Sequence, residues 1–290
     1  MFEERIGFMA SLGFAAMAPG EALGHLKALG YGAVEWTPAH FNPRTKTAAE
    51  LGQLVEQTRE AGLAVSEVVI QQDYVTLDDD ARRDRIAYTL ETIEACAAAG
   101  VDTVNLFTGP APWDPAAPVV GRDLAAGTAW AMVHEAFAEV VPVLARCGVY
   151  GAVEGVWGHL CNDYYTTRPL IDHFDSPWLG VNFDPSHDVL KGNLDTAWLV
   201  RAWGKDRIRH VHLKDAAGVQ SEGLFLFPLI GEGRVDWPGM LTALREIGYE
   251  GWLSVEFESF AYHAQVLRGD TVEAARRTMA DLRALFAATP

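Results

Sequence analysis

The sequence predicts an α/β protein built as a single (β/α)8 TIM barrel over residues 1–290, and three observations predict it. Short apolar runs alternate with helical patterns through eight repeats. No hairpin signal joins consecutive runs, so the strands are expected to be parallel, and right-handed crossovers close such units most simply into a barrel. The first strand is not followed by a glycine-rich turn: Ser11-Leu12-Gly13-Phe14 stands there, which disfavours an open doubly wound sheet. With 49% hydrophobic and 21% charged residues the chain can bury a large core, and no low-complexity tract or Pro/Ser linker divides it.

The elements follow in order. Strands are read at 5–11, 33–37, 64–70, 103–107, 150–156, 179–184, 208–214 and 252–257. Helices are read at 20–29, 47–61, 79–99, 128–147, 165–174, 194–203, 237–247 and 271–286. In the second helix Leu51, Leu54, Val55 and Thr58 share one face, which the period of 3.6 assigns to the core. Gly30, Gly62, Gly100, Gly148, Gly204 and Gly248 each stand between a helical pattern and the next strand, where a left-handed cap ends a helix without a Cβ clash.

Composition narrows the function. Acidic residues outnumber basic ones, 39 to 23, for a formal charge of −16, a field that repels phosphate backbones and anionic lipid. Neither a nucleic-acid nor a membrane partner is expected. Cys96, Cys147 and Cys161 are odd in number and show no paired spacing, which suits a reducing cytoplasm. The apolar stretch 6–18 is preceded by Glu3 and Glu4 and broken by Gly7 and Gly13, so it reads as a first strand rather than a signal peptide. No charge-free run reaches bilayer-spanning length. The expected location is cytoplasmic.

Ligand-type residues collect at the C-terminal ends of the last four strands, the end where barrels of this kind carry their active sites. Strand five ends in Glu154; strand six ends in Asp184, with His187 three residues on; strand seven reads His210-Val-His212-Leu-Lys214-Asp215; strand eight contains Glu256 and Glu258. A buried carboxylate must neutralise, pair or hold a cation. Four such groups on four successive strands point to one shared metal. Carboxylates with an imidazole suit Mn²⁺, Mg²⁺ or Co²⁺, and Zn²⁺ also fits. His210 shares the parity of His212, and Glu258 that of Glu256, so the residues leave both pairs open. Lys214 and Asp215 can pair with each other, and Glu35 and Glu67 read as structural. His159 and Asn162 follow Glu154 closely enough to reach over the mouth. Trp36, Trp113 and Trp157 follow strand ends, where they could stack on a sugar or pack in the core.

The strand-five glutamate, Asp184-x-x-His187, Val211-His212-Leu213-Lys214-Asp215 and Val255-Glu256 match in order and spacing. Together they resemble the xylose isomerase-like barrel superfamily, in its branch of sugar and sugar-phosphate isomerases and epimerases. Ketose 3-epimerases, inosose dehydratase and type-IV apurinic endonucleases are relatives in it. The resemblance implies Glu154, Asp184, His212 and Glu256 as ligands of one divalent metal, Mn²⁺ first. It makes His187 a group that contacts substrate or supports the ligands from behind; from their positions His159, Lys214 and Trp113 are expected as further substrate contacts. The nuclease branch is disfavoured. Its extra strand-three and strand-four histidines are replaced by Gln71-Gln72 and Phe107-Thr108, and Phe225 and Phe227 stand in two ligand positions before Gly231-Glu232-Gly233.

One metal flanked by two glutamates suggests removal of a proton next to a carbonyl, with the charge of the resulting enediolate stabilised. By resemblance to the epimerases, Glu154 and Glu256 form the base and acid pair, and His187 donates to a substrate oxygen. Isomerisation or epimerisation of a sugar is the expected reaction. The rival is β-elimination from a keto-sugar, as in inosose dehydratase, because the segment 154–167 also resembles catalytic subunits of C-glycoside deglycosidases, which work with a smaller subunit. Arg234 and Lys214 are the nearby cations against Glu232, Asp236 and Glu258, which favours an unphosphorylated sugar or polyol. A homo-oligomer or a smaller partner subunit is the expected assembly.

Overall fold

The computed structural model describes residues 2–289; Met1 and Pro290, the ends of the expected 1–290 domain, lie outside the described residues. Eight parallel strands close into a barrel. They are β1 (Ile6–Met9), β2 (Ala33–Trp36), β3 (Ala64–Val69), β4 (Thr103–Leu106), β5 (Tyr150–Glu154), β6 (Leu179–Phe183), β7 (Ile208–Leu213) and, after the hairpin described below, β10 (Leu253–Val255). Neighbours follow chain order, and β10 pairs with both β7 and β1 to complete the ring. Each expected strand is present, trimmed by one to three residues at its ends.

The helices follow the strands: α1 (Pro19–Leu29), α2 (Ala48–Glu60), α3 (Asp79–Ala99), α4 (Ala126–Cys147), α5 (Tyr164–Phe174), α6 (Pro185–Leu190), α7 (Thr196–Trp203), α8 (Trp237–Glu246), α9 (Phe260–Gln265) and α10 (Thr271–Ala288). On α2 the buried residues are Leu51, Leu54, Val55 and Thr58, the face the periodicity assigned, and Thr47 with Glu50 caps its start reciprocally. The six glycines expected to stop helices all adopt positive φ. No helix among the described residues is long and apolar enough to cross a membrane.

Four short elements depart from the expectation. A small antiparallel hairpin, β8 (Ala217–Val219) with β9 (Leu224–Leu226), stands outside the barrel, although no hairpin was anticipated. Two six-residue helices, α6 and α9, fill the loops after β6 and β10. Their length explains the miss, because three-residue strands and six-residue helices are too short to establish a period. A local signal did exist for α6. Asp184 is its N-cap, accepting from Ser186 N–H at 2.8 Å, and Pro185 occupies the first helical turn.

Outside the barrel the core is apolar, with Val34, Val104, Val153, Val181 and Val211 all buried. Inside, its upper half is polar: Glu35, Glu67, Asn105, Glu154, Asn182, His210 and His212 are each at most 2% exposed. Alternate strand residues point to opposite faces, so these inward positions share one parity along each strand. An interior this polar needs internal partners, and the functional site supplies them.

Candidate functional site

Four strand ends deliver the ionisable groups to one place. Glu154 is the last residue of β5, Asp184 follows β6, and Glu256 follows β10. His187 lies one helical turn beyond Asp184 on α6, where i and i+3 share a face. Glu154, Asp184, His187 and Glu256 each offer a ligand atom, all within 4.8 Å of one another. His212 reaches the same cluster from β7, its Nδ1 3.3 Å from Glu154 Oε1 and 3.2 Å from Glu256 Oε2. Its Nε2 lies 3.1 Å from Glu35 Oε1.

Glu154 and Asp184 each have one oxygen held by N–H donors and the other turned toward the cluster. Glu154 Oε2 accepts from Asn105 Nδ2 at 2.8 Å and Asn182 Nδ2 at 3.4 Å, while Oε1 is 3.6 Å from His187 Nε2. Asp184 Oδ1 caps α6, and Oδ2 is 3.4 Å from His187 Nε2. Lys214 Nζ enters from β7, 2.9 Å from Asp184 Oδ2 and 3.0 Å from Glu258 Oε2, and also bonds Glu256 Oε2. It lies 3.2 Å from His187 Nε2.

The local field sorts these groups. Burial opposes charge on Glu154, yet His212, His187 and Lys214 outweigh it and hold its carboxyl well below the usual range. Burial raises Glu256, only partly offset by Lys214. Burial alone would lower His212 and Lys214, but Glu35, Glu154 and Glu256 hold the imidazole up, and Asp184, Glu256 and Glu258 hold the ammonium up. Glu35 stays ionised, at about 2 despite burial, because His212 and His210 face it.

The donor set fits a divalent ion. Among the described residues His212 Nδ1 is buried without a hydrogen bond and faces the cluster, while Asp184 Oδ2, also without a hydrogen bond, is met by the Lys214 ammonium at 2.9 Å. Carboxylate oxygens with imidazole nitrogens are the ligands that hard to borderline divalent ions take.

Above the cluster opens a cavity of about 830 Å³ with a polar floor of Glu154, His187, Lys214, Glu256 and Glu258. Its wall is aromatic: Trp113, Trp157, Phe225, Phe227, Phe257 and Phe260 line it. Trp157 packs edge-on against Phe225 with ring centroids 5.0 Å apart, and Lys214 Nζ sits 4.8 Å from the Phe227 ring centre. Phe225 and Phe227, which stand where nuclease relatives carry ligands, thus serve as wall. A second cavity of about 230 Å³ adjoins, bounded by Glu154, His212 and Glu256.

Several expected residues fall elsewhere. His159 does not line the larger cavity; it stands behind the wall, with ring centroids 5.3 Å from Phe107 and 5.4 Å from Trp113. Trp36 is buried and donates to Thr58 Oγ1 at 3.2 Å, a packing role. Lys214 and Asp215 do not pair, because successive strand residues point to opposite faces. Asp215 instead accepts from the backbone N–H groups of Ala216, Gly231, Gly233 and Val235 and from the Trp237 indole, at 2.9–3.1 Å. Gly231-Glu232-Gly233 is therefore a cradle for that carboxylate. At Gly233 a Cβ would lie 2.1 Å from Asp215 Oδ1, so only glycine allows the approach. Glu35, Asn105 and Asn182 were not singled out as site residues, although each is a polar side chain on an apolar strand at inward parity.

A closed parallel barrel with a buried carboxylate and imidazole cluster at its C-terminal mouth that could hold a metal ion defines the class. Within that class, the family model described as "Xylose isomerase-like TIM barrel" matches residues 23–285, and the chain belongs to that family. It is 35% identical over 105 residues to inosose dehydratase of Lacticaseibacillus casei, a match covering 31% of this chain and 34% of that protein. The chain thus aligns with about a third of that curated relative. Solved structures share the fold over nearly the whole length. The 3-keto-D-glucoside 4-epimerase YcjR of E. coli superposes with TM-score 0.74 at 19% identity, covering 97% of this chain and 99% of that one. The IolI protein with a bound zinc atom superposes with TM-score 0.77 at 16% identity, covering 99% of each.

Proposed function

We propose that this chain is a divalent-metal-dependent enzyme acting on a sugar, an isomerase or epimerase that removes and returns a proton next to a carbonyl. The observation that supports the reading is the meeting of Glu154, Asp184, His187 and Glu256 within 4.8 Å of one another beneath the cavity, with His212 Nδ1 3.3 Å from Glu154 Oε1 and 3.2 Å from Glu256 Oε2. Family membership and the epimerase and dehydratase relatives support an enzyme with a small-molecule substrate.

Glu154, Asp184, His212 and Glu256 would hold the ion, with Mn²⁺ proposed first and Mg²⁺, Co²⁺ or Zn²⁺ as alternatives; a zinc atom is bound in the IolI structure. When bound, the ion supplies positive charge against the oxyanion that develops on the substrate. Glu154 and Glu256 flank the position of the reacting carbon as the proton-transfer pair. Glu256 faces the cavity, and its contact with Lys214 gives it a nearby proton donor. His187 Nε2 and Lys214 Nζ, 3.2 Å apart on the floor, would donate to substrate oxygens, and Trp113 would contact the substrate from the wall.

A second reading, β-elimination from a keto-sugar, draws on the cavity itself. About 830 Å³ lies near the upper end of the range for sites that hold drug-sized ligands, about 300–1,000 Å³. The aromatic wall suits a flat leaving group beside the acidic floor. A homo-oligomer or a complex with a smaller subunit is the proposed working form.

One experiment separates them. Metal-loaded protein is incubated in D₂O with free ketoses and with 3-keto-glycosides. Isomerase or epimerase action puts deuterium on a carbon next to the carbonyl with mass otherwise conserved; elimination releases a second product. Absence of exchange from every substrate defeats the proton-transfer reading. Metal analysis of Glu154→Gln and Asp184→Asn tests the ligand set, and full metal retention by both removes it. Glu256→Gln is expected to lower kcat by about 10²–10⁴, the usual scale for losing a positioned acid or base.

A further inference from the structure

Beneath the cation cluster lies a second polar layer, Glu35, Glu67 and His210, that the ligand set does not use and that meets it at His212. Glu35 of β2 and Glu67 of β3 are register partners, and both face His210 and His212 of β7 across the barrel interior. All four side chains are at most 1% exposed. Glu35 Oε1 lies 3.1 Å from His212 Nε2, and Glu35 Oε2 lies 3.1 Å from His210 Nε2 and 3.2 Å from His212 Nε2. Glu67 stands off, its Oε2 3.9 Å from His210 Nε2.

The chemistry of these contacts decides which nitrogen of His212 is available. A carboxylate only accepts, so the bond to Glu35 places a proton on His212 Nε2. With Nε2 holding that proton, Nδ1 is the nitrogen that would give its lone pair to a bound ion, and it is set between Glu154 Oε1 at 3.3 Å and Glu256 Oε2 at 3.2 Å. Asn182 Nδ2 also lies 3.1 Å from His212 Nε2, while among the described residues Asn182 Oδ1 has no partner. Turning that amide over sets an acceptor beside the same proton at the cost of its 3.4 Å bond to Glu154 Oε2, which then rests on Asn105 at 2.8 Å.

We infer that Glu35 is the positioning residue of the cation site, holding His212 in the Nε2–H tautomer so that Nδ1 points at the ion. This rests on the proposed ligand set. Glu35 itself touches neither ion nor substrate; it acts through His212. A histidine free to rotate or change tautomer presents a proton to the ion part of the time, and partners of this kind typically contribute about 10–100-fold in metal affinity.

The test uses the full chain loaded with Zn²⁺ and carrying ¹⁵N-histidine, with Glu35→Gln and Glu67→Gln compared to wild type. In wild type, long-range ¹⁵N–¹H spectra should show His212 protonated on Nε2 and metal-shifted at Nδ1, the resonances being assigned with His212→Asn. The glutamine amide of E35Q donates as readily as it accepts, so the fixed proton is lost. Zn²⁺ affinity from chelator competition should fall about 10–100-fold, while E67Q stays within about threefold of wild type. A proton on Nδ1 overturns the inference. So does an E35Q chain that keeps wild-type affinity, an E67Q chain that loses as much as E35Q, or two Zn²⁺ per chain with His212 bridging them. Should E35Q not fold, the wild-type spectrum decides. Should wild type bind no divalent ion, the ligand set fails instead. The ion-free chain then reads Glu35 alone, and an Nε2 proton exchanging as fast in wild type as in E35Q overturns its role.

Discussion

His159 is 3% exposed, and among the described residues neither ring nitrogen has a hydrogen bond. Burial pushes its pKa down to about 3, so it is neutral in the folded chain, whereas in the unfolded chain it titrates near 6.5. Between those values the unfolded state binds the extra proton, so stability falls as pH drops below about 6.5. From pH 7.5 to pH 5 this group alone should cost about 2 kcal/mol, one pKa unit being about 1.4 kcal/mol. Urea unfolding of wild type and His159→Leu at both pH values measures it. The variant should lack that share of the acid sensitivity, and parallel pH dependences would sink the assignment. At this scale the carboxylates Glu154, Asp184 and Glu256 were legible, because a charged residue ending an apolar strand demands a partner. Glu35 was not, since one glutamate in a four-residue strand shows nothing of the histidines it meets across the barrel.

The loop between β7 and α8 is organised by one carboxylate. Asp215 accepts five N–H bonds, two on Oδ1 and three on Oδ2, and thereby anchors the segment that follows Phe225 and Phe227 in the cavity wall. Asp215→Asn keeps one acceptor oxygen and turns the other into a donor, so at least two buried N–H groups lose their partner. At about 1–3 kcal/mol each, the loss should reach roughly 3 kcal/mol. For a chain of this length that lowers Tm by about 5 °C. Scanning calorimetry checks the figure, and limited proteolysis should cut first within 217–236. A Tm within about 1 °C of wild type would show that water replaces the carboxylate at no cost. The long elements were readable because their periods repeat. The pieces that shape the mouth, β8, β9, α6 and α9, span three to six residues each and carry caps and turns rather than periods.

The whole molecule places its densest charge in its interior. Asp184, Glu256 and Glu258 surround one ammonium, Lys214, within a chain of net charge −16. Barrel closure brings these groups together from positions far apart in sequence, so the strand alternation that predicts the barrel also predicts their meeting. The substrate is a different matter. On the proposed function it would meet the side chains of Trp113, Phe225, Phe227 and Phe260, which line the cavity from three separate parts of the chain and share no spacing. A divalent ion that neutralises the cluster binds the folded barrel and not the dispersed unfolded chain, so it must raise stability in proportion to its occupancy. At a free Mn²⁺ concentration of 100 times Kd the gain is about 2.7 kcal/mol, or about 4 °C in Tm for 290 residues. The shift should reverse with chelator and shrink in Asp184→Asn. It should also resist 150 mM NaCl, because a Debye length of about 8 Å screens exposed charges far more than groups this deeply buried. An equal shift in Asp184→Asn would place the ion elsewhere on the acidic surface, and a shift abolished by NaCl would mark it as a loosely held counterion.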